Sequence, residues 1–267
     1  TYKSYTLSHT DLISNFVFKV DEQKHFVGAA FHHIMLDGVG GYMMWKKLTI
    51  LYNALMDGSI EDGSYVHAQP LFSQYVHEHN REMDHQDVLA FWKERAQTIE
   101  PLAYTLPSYE TQGSSEQHQV SSTNPEAKVI QRTLELNNEE WVKIRQFCRK
   151  QRTTPALYFK AIYGILLSSY CRAEKPFAIG DYISSRKKQH MYSLGCYFEQ
   201  TPFVFDTEAM SGELSEYLNA IKVHQKEVNK NIPISLAQQN SIFSTSVFRP
   251  TYNFYSWPYA DEFIGHM

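Results

Sequence analysis

The spacing of apolar side chains changes on either side of residues 32–38. Before this stretch, residues 12–18 and 25–32 are rich in Val, Phe and Ala and flank the polar turn 21–24, which predicts a β-hairpin. After it, apolar residues recur about every 3.6 positions, which predicts a helix that stops at Asp57 and Gly58. The residues of that helical face are Met44, Leu48, Leu51 and Leu55. Residues 32–38 therefore connect a strand end to a helix start.

The rest of the chain continues the mixture of helices and strands. Residues 71–96 predict one broken helix or two short ones, and Asn137 or Asn138 is placed to cap a helix with acidic residues in its first turn. Thr154 and Pro155 predict the start of a long apolar helix. Further strands are predicted at residues 129–136, 177–183, 201–205 and 250–257, and an amphipathic helix at residues 214–228. The predicted fold class is α/β with mixed sheets.

Composition excludes several classes of function. The chain has 267 residues, 43% of them hydrophobic, so it can bury a sizeable core in one large domain or two lobes. A net charge of -4, with no block of Lys or Arg long enough to follow a phosphate backbone, argues against nucleic acid. No apolar stretch reaches the roughly 18 residues of a membrane span. Three separated cysteines suggest neither disulfides nor a zinc site, and we expect a cytoplasmic location.

Residues 107–125 contain Ser, Gln, Thr and Gly with almost no apolar side chain, which is typical of an exposed linker. We therefore expect two lobes, at residues 1–124 and 125–267. No metal site is expected, because the spacing of His77, His79 and His85 does not stack them on one helical face.

The residues best suited to chemistry lie in the stretch 32–38. Neighbouring residues on a strand point to opposite faces, so His32 and His33 cannot both face one cavity while the strand stays regular. Asp37 and Gly38 are predicted to close a tight turn in which Gly adopts a conformation closed to other residues. Asp37 could orient His33 directly or bind another partner.

The pattern His-His-x-x-x-Asp-Gly at residues 32–38 resembles the condensation domains of non-ribosomal peptide synthetases, and several later segments resemble the same family in order. Because Trp-Ser does not follow Asp-Gly, the pattern is most similar to siderophore-synthase condensation domains. The further similar segments are residues 51–55, Phe91 with Trp92, residues 153–157, 178–180 with Arg186, 195–203 and 249–253.

The resemblance implies two lobes like those of chloramphenicol acetyltransferase, present here as a partial domain. It implies that His33 is catalytic and faces a reaction channel and that His32 turns inward. It also implies that Asp37 forms a salt bridge to an arginine of the other lobe, for which Arg186 is the candidate. Glu199 stands where the family has Asn. Glu199 and Asn253 are candidates for the channel wall.

The resemblance also implies an activity, which is amide formation between an acyl thioester and an amine acceptor. The domain itself would bind no cofactor, because 4'-phosphopantetheine belongs to partner carrier proteins, whose arms enter a tunnel from both sides. His33 would act as general base or fix the amine lone pair, and backbone N–H groups near Gly38 would stabilise the oxyanion. The alternatives are an acyl-CoA-dependent acyltransferase of the same superfamily, an inactive carrier-docking domain and, ranked lower, an epimerisation domain.

Overall fold

The structure is a computed structural model that describes residues 12–59, 71–82, 85–100, 131–232, 234–243 and 250–255. The predicted linker at residues 107–125 lies outside these residues. The predicted boundary between residues 124 and 125 lies there too, so the division into lobes at that point stays a prediction.

The described residues contain both helices and strands, which confirms the predicted α/β class. The strands are β1 (Ile13–Lys19), β2 (His25–Phe31), β3 (Phe177–Ser184), β4 (Phe198–Phe205) and β5 (Thr251–Tyr252). The α-helices are α1 (Gly38–Met56), α2 (Phe72–Glu82), α3 (Gln86–Ala96), α4 (Asn138–Lys150), α5 (Pro155–Cys171), α6 (Thr207–Met210), α7 (Leu214–Lys230) and α8 (Leu236–Ile242), and a short 3-10 helix spans Lys188–His190.

The strands form two sheets. β1 and β2 are an antiparallel hairpin in which Ile13 is opposite Phe31 and Lys19 is opposite His25. The second sheet has the order β4-β3-β5, with β3 and β5 parallel. Antiparallel and parallel pairing therefore both occur, as expected for mixed sheets.

Contacts divide the described residues into two compact units. Unit 1 contains the described parts of Thr1–Leu89, Tyr182–Thr201 and Ile232–Ser235. Unit 2 contains those of Ala90–Asp181, Pro202–Asn231 and Leu236–Met267. The stretch 182–201 thus belongs to the same unit as residues 32–38, and this places the predicted site residues 32–38, 186 and 199 in unit 1.

Local capping signals produce the helix starts that the sequence predicts. Asn137 Oδ1 accepts a hydrogen bond from the Glu140 N–H at 2.9 Å, and Glu140 Oε2 accepts one from the Asn137 N–H at 2.8 Å. This reciprocal pair satisfies two backbone donors that the first turn of α4 cannot pair internally. At α5, Thr154 Oγ1 accepts from the Leu157 N–H, and Pro155 occupies the first helical position.

Two expectations about exposed segments differ from the structure. Residues 131–137 form no strand, and Leu134 is 88% exposed, because an alternating pattern does not by itself supply a pairing partner.

The predicted apolar face of α1 is half exposed at Leu48 and Leu55, and burial is concentrated near the helix start, where Gly40 closely approaches Gly195. No helix in the described ranges has the length and apolarity needed to cross a bilayer.

Candidate functional site

The two histidines lie just beyond the end of β2. The His32 N–H donates to the Leu12 carbonyl at 2.8 Å and so continues the hairpin, and residues 33–35 form a turn in which the Met35 N–H donates to the His32 carbonyl at 2.9 Å. His32 is half-buried, and its Nδ1 accepts from the Ile34 N–H at 3.1 Å. His33 is exposed. The turn therefore separates the environments of the two rings.

Asp37 is the N-cap of α1. Its Oδ1 accepts a hydrogen bond from the Gly40 N–H at 2.6 Å, and its carbonyl accepts from the Gly41 N–H at 2.8 Å. These contacts satisfy donors of the first helical turn and fix the chain a few residues after His33. They also occupy two of the backbone N–H groups near Gly38 that were candidates for oxyanion binding.

The glycine that this turn requires on steric grounds is Gly40, whereas Gly38 is simply the first residue of α1. Gly38 does not have a positive φ, so the predicted special conformation at that position is not found. A Cβ on Gly40 would lie 2.7 Å from the Gly195 carbonyl oxygen. The close approach of two backbone segments, rather than the turn type, therefore explains a glycine here.

The Asp37 carboxylate also joins the helix start to the segment before β4. Its Oδ2 accepts from the Tyr197 N–H at 2.8 Å, and Arg186 Nη2 lies 3.1 Å from Oδ1. The side chains of Arg186 and Asp37 are 3% and 8% exposed, so this ion pair is buried. Asp37 thus accepts hydrogen bonds from three directions, which is how a buried carboxylate is stabilised.

Arg186 holds the loop that precedes β4. Its Nη1 donates to the carbonyls of His190 and Ser193 at 2.8 and 2.6 Å, and its guanidinium lies 4.0 Å from the centroid of the Tyr197 ring. A planar group with several donors can make these contacts at once, while a lysine cannot. Arg186 therefore connects the loop, the Tyr197 ring and Asp37.

Phe198 is an aromatic neighbour of His33, and it was not among the residues predicted from the sequence. The two ring centroids are 5.2 Å apart at 76°, and on its other side Phe198 meets Tyr182 at 5.6 Å and 63°. Phe198 remains 40% exposed. The signal that could have found it is the alternation of β4, because neighbours of Glu199 point away from the face that Glu199 occupies.

Glu199 lies against α2. Its side chain is 14% exposed, its Oε1 accepts from the Tyr75 hydroxyl at 3.3 Å, and the same atom lies 3.6 Å from His79 Nε2. Tyr75 also hydrogen-bonds Ser185, and burial, followed by the charge of Glu199, raises the pKa of Tyr75. A place for Glu199 in a channel wall stays a prediction.

The remaining candidates are Asn253 and the three histidines near α2. Asn253 is an exposed residue that follows β5 in unit 2, and its predicted channel role stays a prediction. Of the three histidines near α2, His79 is the one engaged with Glu199 and Tyr75. Among the described residues, no group of three or more His, Cys, Asp or Glu side chains could hold a metal ion.

Comparison with known proteins identifies the family. The family model of the condensation domain matches residues 1–262. The chain belongs to the condensation domain family. Tyrocidine synthase 3 of Brevibacillus parabrevis is 20% identical over 251 residues, which are 93% of this chain and 4% of that synthase. Bacitracin synthase 1 of Bacillus licheniformis is 23% identical over 267 residues, which cover 92% of this chain and 5% of that synthase.

Solved structures show the same fold. The condensation domain from the Monacolin K polyketide synthase MokA superposes with a TM-score of 0.68 at 18% identity, covering 93% of this chain and 54% of that one. The first condensation domain of the calcium-dependent antibiotic synthetase, in complex with substrate analogue 3a, gives 0.67 at 14% identity, covering 92% and 52%. The chain thus spans about half the length of these domains and 4% to 5% of the two curated synthases. The siderophore-type pattern stays a prediction.

Proposed function

We propose that this condensation domain forms an amide bond between an acyl thioester on a carrier protein and an amine acceptor, with His33 as the residue that contacts the amine. The observation that carries the proposal is an exposed imidazole on a turn whose flanks are fixed. Membership of the condensation domain family supports the same reaction. The acyl donor would be attached to the 4'-phosphopantetheine of a partner carrier.

The reaction needs one proton to move. The amine nitrogen bonds to the carbonyl carbon of the thioester, the C–S bond breaks, and the proton lost by nitrogen ends on the departing thiol. An imidazole with a reference pKa of about 6.5 can accept a hydrogen bond from the amine near neutral pH. Both versions of the role of His33, general base and lone-pair orientation, require this hydrogen bond.

The buried network around Asp37 supports the role of His33 by restricting the backbone positions available to His33. Asp37 fixes the start of α1 through Gly40 and the segment before β4 through Tyr197. A catalytic group held in one place increases the rate because the entropy lost in orienting it is lost on folding, before the reaction begins. His32 contributes from the other side of the turn by accepting the Ile34 N–H.

The test is amide formation by the full-length protein with acyl-loaded and amine-loaded carrier proteins, read by intact mass. His33→Ala lowers turnover by about 100-fold or more, since positioned acid–base groups contribute on that scale. The melting temperature stays the same because the His33 ring is exposed. The control is His77→Ala, which removes another exposed imidazole, on α2, and leaves turnover unchanged.

Other outcomes point to the other functions. Wild-type turnover in His33→Ala removes His33 from the mechanism. Turnover of acyl-CoA without any carrier protein identifies an acyl-CoA-dependent acyltransferase. Carrier binding without product, in wild type and variant alike, identifies a docking domain.

A further inference from the structure

The turn that carries His33 fixes the backbone of this residue but leaves its side chain with few constraints. Residues 33–35 lie outside β2, and the His33 ring is exposed. An exposed side chain exchanges between rotamers within nanoseconds. A histidine that must meet an amine in one orientation therefore needs a contact that favours one rotamer.

Phe198 supplies such a contact. The His33 and Phe198 rings are 5.2 Å apart at 76°, within the range that edge-to-face aromatic pairs prefer. Tyr182 meets the Phe198 ring at 5.6 Å and 63°, so the three rings form a column in unit 1. Tyr182 is half-buried and Phe198 is 40% exposed, so the column leads from the interior to the imidazole.

The backbone on both sides of Phe198 is held. The Tyr197 N–H donates to Asp37 Oδ2 at 2.8 Å, and the Tyr197 carbonyl accepts from the Ser185 N–H at 2.8 Å. Glu199, on the opposite face of β4, accepts from the Tyr75 hydroxyl. The carboxylate of Asp37 contacts both the segment that follows His33 and the segment that leads to Phe198, and it thereby connects the two backbone segments that carry these rings.

We propose that Phe198 is a positioning residue that holds the imidazole of His33 in one orientation, with Tyr182 as its support. This inference rests on the proposed function, because it assigns Phe198 an effect on the reaction through His33. Phe198 itself is not required to touch the reacting atoms.

Substitutions at position 198 separate the aromatic contact from general packing. Phe198→Leu keeps an apolar side chain but removes the ring, and it lowers kcat about 2- to 12-fold, the range that corresponds to an aromatic pair. Phe198→Tyr keeps the ring and retains kcat within about twofold. Tyr182→Leu lowers kcat less than Phe198→Leu. The matched control is Phe26→Leu, an exposed phenylalanine of β2, which leaves kcat unchanged.

A second measurement reads the contact without activity. The ring protons of His33, assigned by their loss in His33→Gln, are observed by NMR in protein with labelled histidine. Their chemical shifts change in Phe198→Leu, because the ring current of Phe198 is lost. They are nearly retained in Phe198→Tyr and in Phe26→Leu.

The outcomes distinguish the two proposals. If His33→Ala is inactive and Phe198→Leu keeps full kcat, the positioning role is overturned and the proposed function stands. If His33→Ala keeps wild-type turnover, His33 is removed from the mechanism and the positioning role falls with it, whatever the chemical shifts show. Unchanged His33 shifts in Phe198→Leu overturn the contact itself. A lower kcat in Phe198→Leu with changed shifts, restored by tyrosine, supports the inference.

Discussion

Unit 1 and unit 2 each contain an ion pair that folding removes from water. In unit 1, Asp37 and Arg186 are 8% and 3% exposed. In unit 2, Lys160 Nζ lies 2.5 Å from Asp181 Oδ2, and the two side chains are 6% and 2% exposed. The degree of burial is similar, so the difference between the pairs comes from the groups around them.

The carboxylate of unit 1 is tied to the backbone, and the pair of unit 2 is surrounded by side chains. Asp37 accepts from the N–H groups of Gly40 and Tyr197 as well as from Arg186. Lys160 also donates to Gln225 Oε1 at 2.5 Å and lies 4.4 Å from the Phe203 ring centroid. The first pair thus connects chain segments, while the second packs an elongated side chain between α5, β3 and α7.

The two pairs also differ in whether a change of protonation can make them neutral. Burial lowers the pKa of Lys160, against the attraction of Asp181, and burial raises the pKa of Asp181, against the attraction of Lys160. Both directions favour the neutral forms, so this pair can adjust by moving a proton. Arg186 has no such route, because a guanidinium stays protonated in proteins. Loss of its partner therefore leaves a charge inside unit 1.

The largest effect is expected from Asp37→Asn. The amide oxygen can replace one carboxylate oxygen, but the amide NH₂ then faces donors, and the charge of Arg186 is uncompensated. We expect the free energy of unfolding to fall by about 3 to 5 kcal/mol, as for other broken buried pairs. Urea denaturation measures it, and amide formation falls in parallel.

Two features make this result specific. The cost of Asp37→Asn stays constant from pH 6 to 9, because arginine does not titrate there. Asp57→Asn, at an exposed carboxylate that accepts the Ser59 N–H, leaves the free energy of unfolding nearly unchanged. A wild-type stability of Asp37→Asn would contradict a structural role for the ion pair.

Asp181→Asn is the matched substitution in unit 2, and its effect is smaller and depends on pH. The amide oxygen still accepts from Lys160, and Lys160 can lose its proton, so we expect a cost of about 1 to 2 kcal/mol near pH 9. Without Asp181 the pKa of Lys160 falls further below its ordinary value of 10.5. At pH values between the lowered pKa of Lys160 in the folded variant and its ordinary pKa in the unfolded chain, the folded state binds fewer protons than the unfolded state. The stability of the variant therefore rises with pH in this range.

Urea denaturation of wild type and Asp181→Asn from pH 6 to 10 measures this dependence. The difference between them shrinks as the pH rises through the lowered pKa of Lys160. A difference that is flat with pH, like the one expected for Asp37→Asn, would mean that Lys160 keeps its proton and that the two pairs behave alike.

The two units also show what the sequence can predict. The caps of α4 and α5 were predictable because Asn137, Thr154 and Pro155 act on residues at most three positions away. The contact between Asp37 and Arg186 spans 149 positions, so spacing carries no information about it. Arg186 became a candidate because its segment resembles a family segment.

Tertiary contacts for which the resemblance named no partner were not predicted. Lys160 lies in an apolar helix where a lone lysine suggests an exposed edge, but α5 turns it toward Asp181, 21 positions away. In β4, the residue predicted from the resemblance is Glu199. Because side chains alternate along a strand, the residue that contacts His33 is its neighbour Phe198. Which face of a strand meets which neighbour depends on elements distant in sequence.

The smallest effect is expected when both members of the unit 2 pair are replaced by hydrocarbon. Lys160→Met with Asp181→Leu replaces both charged groups by apolar side chains of similar shape, so we expect the free energy of unfolding to change by less than about 1 kcal/mol, since such replacements are often neutral or stabilising. Urea denaturation of wild type and variant at pH 7 measures this change.

The corresponding variant of unit 1, Arg186→Met with Asp37→Leu, also removes both charges. It loses at least about 2 kcal/mol, however, because the N–H groups of Gly40 and Tyr197 lose their acceptor. Equal costs for the two double variants would show that backbone attachment does not distinguish the pairs.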